Sequence, residues 1–454
     1  MPETKITALV LAAGKGTRMH SPRPKVLQTL LREPMLGYVY RALDPIFSDI
    51  VTIVGHGADE VAAAFPGRNF VLQAEQLGTG HAVQTGWDAV KESGATHCLV
   101  INGDTPLVMP EAIERLLEAQ NADLAFMTIT PKSPAAFGRV VRDEDRRITA
   151  IVEAKDYDIA VHGHATGEVN AGIYLLNVAT IGPLLDQLKN SNASGEYYVT
   201  DLVGLAVTEG LTVSGVQCGD DLSLMGINSP RELIEAENAL RRRIVEGLID
   251  SGVLIHNPDT VIVGPGAKVE PGAEIFGHCE IYGESFVAAG AKLGSYNQIT
   301  DCTFAPGCEI REFCHMEKAN VGPDAQVGPY ARLRPGAELK KGCRVGNFVE
   351  IKKSVVGEGS KASHLTYLGD TEVGAGVNIG AGTITCNYDG KNKFKTVISD
   401  GAFIGSNTAL VAPVTVGRDA LVGAGSTITK DVPDESAGIA RGKQITIKRR
   451  LKRS

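Results

Sequence analysis

The sequence lacks three features, each of which would assign it to a common class of protein. It has no apolar stretch near the roughly 18 to 20 residues of a membrane span, and residues 1–5 have no signal-peptide character. It has no excess of basic charge, because 45 Lys and Arg stand against 53 Asp and Glu and the net charge is −8. It has no CxxC pair among its 8 cysteines. These absences predict a cytoplasmic protein and disfavour a general nucleic-acid binder, whose footprint would be basic.

What the sequence does contain is a six-residue repeat of large aliphatic residues through its C-terminal two-fifths. A small or slim residue usually stands two positions before each of them, and glycine is frequent nearby. Six is neither the helix period nor the strand period, and it is typical of one short strand and one corner per hexad in a triangular parallel β-helix. The repeated positions are Val263, Val269, Ile275, Ile281, Val287, Leu293, Ile299, Val321, Val327, Leu333, Leu339, Val345, Ile351, Ile398, Ile404, Leu410, Val416, Val422 and Ile428.

Cysteines recur with the same spacing, at Cys302, Cys308 and Cys314. Such a row could indicate a metal site or a core ladder. Each of the three falls in the slot that Ala and Thr occupy in other hexads, and Cys279 and Cys343 fall there too. The pattern therefore favours a buried ladder of small residues over zinc ligands.

Two segments interrupt the aliphatic repeat, and we expect the chemistry there, since loops on a regular scaffold commonly carry function. One lies between Ile351 and Val373 and contains SKASHLTYLGD, with its histidine at 364. The other lies between Thr385 and Ile398 and contains CNYDGKNKFK. The basic run KRRLKRS at 448–454 is interpreted as a solvated tail rather than an anion-binding arm.

The first 230 residues alternate apolar runs with helical patterns, which is typical of βαβ units and predicts a mostly parallel sheet with ligands at the carboxyl ends of its strands. An amphipathic pattern follows over 231–251 and predicts a linker helix. The predicted domains are 1–230, 231–251 and 252–454. The predicted strands are ITALVLAA, DIVTIVG, NFVLQ, HCLVING, LAFMTIT and AGIYLL, and the predicted helices include HAVQTGWDAVKES and PEAIERLLEAQ.

A glycine-rich turn, LAAGKGTRM, follows the first predicted strand. Its backbone N–H groups, together with Lys15, Arg18 and Lys25, suit a polyphosphate. It is not a Rossmann fingerprint, because Met19 stands where the third glycine would be, and it is not a Walker A loop. A glycine turn alone is usually structural, whereas the turn joined to Arg18 and the Pro24–Lys25 pair is more specific.

Asp104 follows another predicted strand, in INGDTPL. A carboxylate at the carboxyl end of a strand can bind Mg²⁺ together with substrate phosphates. It can equally cap the helix that PEAIERLL predicts, so both roles stay open on the residues alone.

A dozen segments, in order and over nearly the whole chain, resemble a family of bacterial bifunctional enzymes, the N-acetylglucosamine-1-phosphate uridylyltransferase/glucosamine-1-phosphate acetyltransferases. This resemblance implies an N-terminal Rossmann-like nucleotidyltransferase domain and a C-terminal left-handed parallel β-helix. The segments are LAAGKGTRM with PKVL, QAEQLGTGHA, NGDTPL, FGRV, IVEAKD, EVNAGIY, GINSPREL, RLRPGAEL, GNFVEIKK, SHLTYLGD, NIGAGTITCNYDG and VAPVTVG.

For the N-terminal domain, the resemblance implies transfer of a uridylyl group from UTP to N-acetylglucosamine 1-phosphate. Arg18 and Lys25 would neutralise the transferring phosphoryl group, and Asp104 and Asn228 would bind Mg²⁺. On the residues alone, Asn228 could instead cap the next helix, as could Ser229. The implied nucleotide and sugar ligands are Leu11, Ala12, Ala13, Gly14, Lys25, Gln73, Gly78, Thr79, Gly138, Glu153, Asn170 and Asn228.

For the C-terminal domain, the resemblance implies transfer of acetyl from acetyl-CoA to glucosamine 1-phosphate, with His364 as general base. A histidine suits this role because it titrates near neutrality and the substrate ammonium must lose a proton. Arg334, Lys352, Tyr367 and Asn378 would bind the sugar phosphate. The implied acetyl-CoA ligands are Ala381, Asn387, Tyr388, Ser406, Ala424 and Arg441.

Members of such β-helical families form trimers, so a homotrimer of this chain is expected. The alternative function is a monofunctional sugar-nucleotide pyrophosphorylase with a structural β-helix, which would not need HLTY, RLRPG or NYDG. A metal-dependent hydratase is disfavoured because His278, His315 and His364 do not share a hexad register. A non-enzymatic scaffold would leave the phosphate turn and Asp104 unexplained.

Overall fold

A computed structural model of the chain describes residues 5–132 and 137–447. The chain divides into two compact units, Met1–Asn238 and Ala239–Ser454. The basic run at 448–454 and residues 1–4 of the N-terminal segment lie outside the described residues. None of the described helices is both long and apolar enough to cross a membrane.

The first unit contains a nine-stranded sheet and a short hairpin. The order along the sheet is β11-β7-β10-β6-β1-β4-β5, with β8 and β9 attached beside β10. All neighbours on this path run parallel except β10, which is antiparallel to both β6 and β7. The strands are β1 Ile6–Ala12, β2 Thr29–Leu30, β3 Glu33–Pro34, β4 Ile50–Val54, β5 Asn69–Leu72, β6 His97–Asn102, β7 Leu124–Ile129, β8 Arg139–Arg142, β9 Ile148–Val152, β10 Val169–Asn177 and β11 Val213–Gln217.

Helices cover both faces of this sheet, which explains why its strands read as continuous apolar runs. On β1, Val10 joins a core cluster with Leu36 and Ile113, whereas Leu9 joins a second cluster with Val83. The helices are α1 Met35–Leu43, α2 Ala58–Ala64, α3 Thr79–Glu92, α4 Pro110–Leu117, α5 Ile159–His162, α6 Val178–Leu185, α7 Asp201–Thr208 and α8 Pro230–Asp250.

The second unit is a parallel β-helix with three faces of 11, 10 and 9 strands. The first face contains Leu254–Ile255, Glu274–Ile275, Lys292–Leu293, Glu309–Ile310, Gln326–Val327, Arg344–Asn347, Lys361–His364, Asn378–Ile379, Phe403–Ile404, Leu421–Val422 and Ala437–Gly438. The second contains Ile262–Val263, Glu280–Tyr282, Gln298–Thr300, His315–Glu317, Arg332–Leu333, Glu350–Lys352, Tyr367–Gly369, Ile384–Cys386, Ala409–Val411 and Thr427–Ile428. The third contains Lys268–Val269, Phe286–Val287, Thr303–Phe304, Ala319–Val321, Ala337–Leu339, Ser354–Val356, Thr371–Val373, Thr396–Ile398 and Val414–Val416.

The aliphatic repeat forms the core of this β-helix, as predicted. Ile281 pairs with Ile299 one coil later, and both are fully buried. The cysteine ladder is also core, since Cys302, Cys308 and Cys314 are at most 2% exposed. Burial raises the pKa of Cys308 to about 12, so this thiol is neutral within the core.

The prediction of two loops was half wrong. The segment around His364 is not a loop, because Lys361–His364 and Tyr367–Gly369 are regular strands. This coil has 17 residues instead of the 18 of three full hexads, since Ile351 pairs with Leu368 in the next coil. In addition, the small Ala362 occupies a core position where the repeat usually has a large aliphatic residue. The second segment does leave the coil: Ile379 pairs with Ile404, 25 positions on.

Candidate functional sites

The glycine-rich turn lies where β1 ends, at the carboxyl edge of the sheet. Gly16 has a left-handed backbone with φ of +60°, and a Cβ there would lie 2.6 Å from Lys25 Cβ. A side chain at position 16 would therefore be strained and would displace Lys25. The absence of a side chain at Gly16 therefore lets the Pro24–Lys25 segment pack directly against the glycine-rich turn.

Lys25 is the centre of a charged cluster. Its ammonium group donates to Asp104 Oδ2 and to Asn228 Oδ1, the latter at 2.7 Å. Arg18 Nη2 also donates to Asn228 Oδ1, at 2.8 Å. The Lys25 and Asp104 side chains are only 12% and 17% exposed. The two predicted catalytic cations, Arg18 and Lys25, therefore lie in one cluster with the predicted metal ligands, Asp104 and Asn228.

Neither Asp104 nor Asn228 caps a helix in the part of the chain that the structure describes, although a helix cap was the alternative role of each. The residue before α4 is Met109, and no side chain caps that helix. At α8, Ser229 Oγ accepts from the Glu232 N–H at 3.3 Å, while Glu232 reaches back to the Asn228 N–H. Ser229 therefore caps α8, and the Asn228 side-chain oxygen is available to the cluster.

A cavity of about 510 Å³ opens above the glycine-rich turn. It brings together the predicted nucleotide residues of three separate segments, because the turn, the loop after β5 and the end of β6 share the same edge of the sheet. Its lining includes Leu11, Ala12, Ala13, Gly14, Lys15, Lys25, Gln73, Gly78, Thr79 and Asp104.

A second cavity, of about 180 Å³, adjoins the first and holds the predicted sugar residues Gly138, Glu153 and Asn170 with Asp104 and Asn228. Asn102 lines both cavities, although the sequence analysis did not select it. Its position at the end of β6, two residues before Asp104, was a signal that could have found it. Asp104 and Asn102 therefore separate a nucleotide-sized space from a smaller one.

Glu153 is the acidic group of the smaller cavity. Thr200 Oγ1 donates to its Oε1 at 3.1 Å. Burial raises the pKa of Glu153, and the nearby carboxylates of Asp201 and Asp156 raise it further. Burial likewise raises the pKa of Asp201 to about 6, with Asp156 adding to the effect. Glu153 is therefore a carboxyl group of the smaller cavity that is costly to ionise unless a ligand contacts it.

In the β-helix, His364 is exposed and its Nδ1 lies 2.6 Å from Asn347 Oδ1. An amide oxygen can only accept, so Nδ1 carries the hydrogen and Nε2 keeps its lone pair for a proton. Asn347 is the strand partner of His364 in the preceding coil. Asn347 was not predicted from the sequence, although a residue 17 positions earlier is the neighbour that a coil of this length predicts.

A basic group lies at the corner between the second and third faces. Arg334 Nη1 contacts Glu350 Oε1 at 2.9 Å. Lys393, from the loop that leaves the coil, lowers the pKa of Lys352, and desolvation and Arg334 lower it further. Lys393 was not selected from the sequence. Repelling cations at one corner favour an anionic ligand such as a phosphate.

Three predicted acetyl-CoA residues form a column of successive coils at the corner between the first and second faces. The Ala381 oxygen accepts from Asn407 N at 2.7 Å, and the Ser406 oxygen accepts from Gly425 N at 2.8 Å. Arg441 then closes the column, since its Nη1 donates to the Ala424 oxygen at 2.8 Å. His364 begins the same column, because its carbonyl accepts from Gly382 N.

The remaining predicted residues lie in other segments of the β-helix. Asn387 donates to Asp370 Oδ2, and the Tyr388 hydroxyl donates to the Gly390 oxygen at 2.6 Å, both in the loop segment. Tyr367 lies on a second-face strand and Asn378 on a first-face strand. Within one chain, the predicted acetyl-transfer residues therefore occupy two corners and two faces rather than one pocket.

Comparisons with known proteins place the chain among its relatives. Residues 8–191 match the MobA-like NTP transferase domain family, and residues 395–430 match the bacterial transferase hexapeptide (six repeats) family. The bifunctional protein GlmU of Oleidesulfovibrio alaskensis is 57% identical over 97% of both chains. The chain belongs to the bifunctional GlmU family. The proteins of that name from Nitratidesulfovibrio vulgaris strain Hildenborough and Acinetobacter baumannii are 58% and 43% identical over 98% and 97% of both chains.

Membership of the GlmU family confirms the family predicted from the dozen motifs and the prediction of a bifunctional enzyme. The fold class is confirmed too, as a Rossmann-like NTP transferase domain followed by a β-helix of hexapeptide repeats. The role of each site residue is a proposal.

Proposed function

We propose that the chain acetylates glucosamine 1-phosphate with acetyl-CoA in its β-helix. It then joins the resulting N-acetylglucosamine 1-phosphate to UTP in its N-terminal domain, releasing pyrophosphate. The observation that carries the proposal is the convergence of Arg18, Lys25, Asp104 and Asn228 between two adjoining cavities, in a chain that matches bifunctional relatives from end to end. The product, UDP-N-acetylglucosamine, would supply cell-wall synthesis.

In the uridylyl transfer, a phosphate oxygen of the sugar phosphate attacks the α-phosphorus of UTP. The bond to the oxygen that bridges to the β-phosphorus breaks, and pyrophosphate leaves. The attacking oxygen is already anionic, so no general base is required. Lys25 and Arg18 stabilise the charge that develops on the transferring phosphoryl group, and the N–H groups of the turn hold the remaining phosphates. Glu153 and Asn170 orient the sugar in the smaller cavity.

The residues at this point fit Mg²⁺. Asp104 Oδ1 is buried and accepts no hydrogen bond from any residue the structure describes. Asp104 Oδ2 and Asn228 Oδ1 already converge on one cation, the Lys25 ammonium. A carboxylate, an amide oxygen and substrate phosphates are a normal ligand set. When bound there, Mg²⁺ supplies positive charge to the phosphates.

In the acetyl transfer, the amine of glucosamine 1-phosphate attacks the thioester carbonyl carbon, the carbon–sulfur bond breaks and the CoA thiol leaves. His364 Nε2 takes a proton from the amine, and Asn347 holds the ring in the tautomer that permits this. Arg334, Lys352 and Lys393 attract the sugar phosphate. Ala381, Ser406, Ala424 and Arg441 form the column along which the CoA chain lies, with Asn387 and Tyr388 as further contacts.

We also propose a homotrimer. The acetyl-transfer residues of one chain are distributed over two corners of the β-helix, and a neighbouring β-helix at one corner would complete the site. A cytoplasmic location stays a prediction. The alternative, a monofunctional pyrophosphorylase with a structural β-helix, is not favoured, because it gives no reason for the His364–Asn347 pair or the cationic corner.

The test is to supply glucosamine 1-phosphate, acetyl-CoA, UTP and Mg²⁺, and to identify the sugar nucleotide by mass spectrometry. We expect UDP-N-acetylglucosamine, and none when acetyl-CoA is omitted. Either UDP-glucosamine or the absence of any sugar nucleotide would contradict the proposed order. A product formed only from ready-made N-acetylglucosamine 1-phosphate would instead support the monofunctional alternative.

A further inference from the structure

Gln73 is a buried amide whose two ends face different surroundings. It follows β5, is 2% exposed, and lines the larger cavity. Its backbone is held in place, since its N–H donates to the Val54 oxygen at 2.8 Å and its carbonyl accepts from Gln76 Nε2 at 2.9 Å. The main freedom left to the side chain is a 180° rotation of its terminal amide. This rotation exchanges the positions of Oε1, which accepts, and the NH₂ group, which donates two hydrogen bonds.

Two neighbours determine which way this amide faces. Gln73 Nε2 lies 3.2 Å from the Gly78 carbonyl oxygen and 2.9 Å from His81 Nδ1. A carbonyl oxygen can only accept, so the end of the amide that faces it must be the NH₂ group. The same NH₂ group then donates to His81, which places the imidazole lone pair on Nδ1 and the ring hydrogen on Nε2.

The other end of the amide is free for a ligand. Within residues 5–132 and 137–447, Gln73 Oε1 accepts no hydrogen bond. An acceptor that faces a nucleotide cavity selects a base that presents a donor. Uracil presents the N3–H donor on its pairing edge, whereas cytosine has an unprotonated N3, which only accepts. A turned amide would present NH₂ and would suit cytosine instead.

We propose that His81 is a positioning residue for base selection: by accepting from Gln73 Nε2, it holds Gln73 Oε1 towards the nucleotide and so favours uracil over cytosine. His81 acts through Gln73 and lies three residues into the helix that follows the Gly78–Thr79 turn. This inference rests on the proposed uridylyl transfer. Substitution of His81 is expected to change which nucleotide base is accepted and to leave phosphoryl transfer itself in place.

The test compares pyrophosphate release with N-acetylglucosamine 1-phosphate and either UTP or CTP. Each kcat/KM is measured for the wild type, His81→Phe and a control, His162→Phe, which replaces a histidine that lines neither cavity. We expect the ratio of UTP to CTP to fall by about tenfold in His81→Phe, the worth of one hydrogen bond, and to be unchanged in the control. His81→Lys offers only donors at this position, so it should lower the ratio further, and it serves if His81→Phe does not fold.

A double variant separates positioning from a general structural role. In a Gln73→Ala background, His81→Phe should no longer change the ratio, because no amide remains to be turned. Equal losses for UTP and CTP in folded His81→Phe and His81→Lys would overturn the inference while leaving uridylyl transfer intact. A wild type that shows no preference for UTP would overturn both the inference and the uridylyl proposal, so the two failures are distinguishable.

Discussion

The contact between His364 Nδ1 and Asn347 Oδ1 predicts a specific effect on acetyl transfer. In the transition state the imidazole gains a proton, so a neutral hydrogen bond becomes a charge-assisted one. Such a bond contributes about 1.5 to 3 kcal/mol, against about 1 kcal/mol for a neutral one. Asn347→Leu removes the acceptor and frees the ring to rotate. The difference between the two bonds is about 0.5 to 2 kcal/mol, so we expect kcat for acetyl transfer to fall about 2- to 30-fold.

The assay is release of the CoA thiol at saturating substrates over a range of pH, with pyrophosphate release as the internal control. Uridylyl transfer should be unaffected. Asn347→Asp provides the matched variant, because a carboxylate beside the ring favours the protonated imidazolium, and the base would then be free only at higher pH. The rise of activity with pH should therefore move to higher pH in Asn347→Asp. An Asn347→Leu enzyme with wild-type kcat and an unmoved profile in Asn347→Asp would refute the reasoning.

Two further predictions concern charged groups, one set in the two sites and one outside them. Asp104→Ala should lower uridylyl transfer by at least about 100-fold and spare acetyl transfer, whereas His364→Ala should do the reverse. Uridylyl transfer is measured as release of pyrophosphate, and acetyl transfer as release of the CoA thiol. Loss of both activities in either folded variant would exclude two independent sites. Asp201→Asn should stabilise the protein at pH 7 by about 1 kcal/mol, allowing for the partial exposure of Asp201. The folded pKa of Asp201, about 6, lies above its ordinary value, so the stability it contributes is present below pH 4 and lost as the pH rises through 6. The gain in melting temperature should thus be large at pH 7 and absent at pH 4, and an equal gain at both would contradict it.

Periodicity by itself determined much of the fold. A six-residue aliphatic repeat admits few structures other than a β-helix, and the size of the slot two residues earlier was enough to assign Cys308 and its neighbours to the core. Alternation of apolar runs and helical patterns likewise predicted the N-terminal sheet. These are local signals, since each depends on residues close together in the chain. Where one residue was deleted, near His364, the same signal wrongly indicated a loop.

Only the tertiary structure decided which side chains meet. Lys25, Asp104 and Asn228 are about 80 and 200 positions apart, and nothing local distinguishes a metal ligand from a helix cap at Asp104 or Asn228. The cap that Ser229 supplies to α8, and the contacts of Lys25 with Asp104 and Asn228, made that distinction. Lys393 and His81 were not predicted for the same reason: their roles depend on partners in other strands, coils or loops, and on which end of an amide faces which neighbour. Asn102 and Asn347 could have been found from their spacing to Asp104 and His364, but only the structure shows what they contact. Residue type and spacing therefore determined the scaffold and the classes of chemistry, while hydrogen-bond direction and burial, which exist only in three dimensions, decided the arrangement of each site.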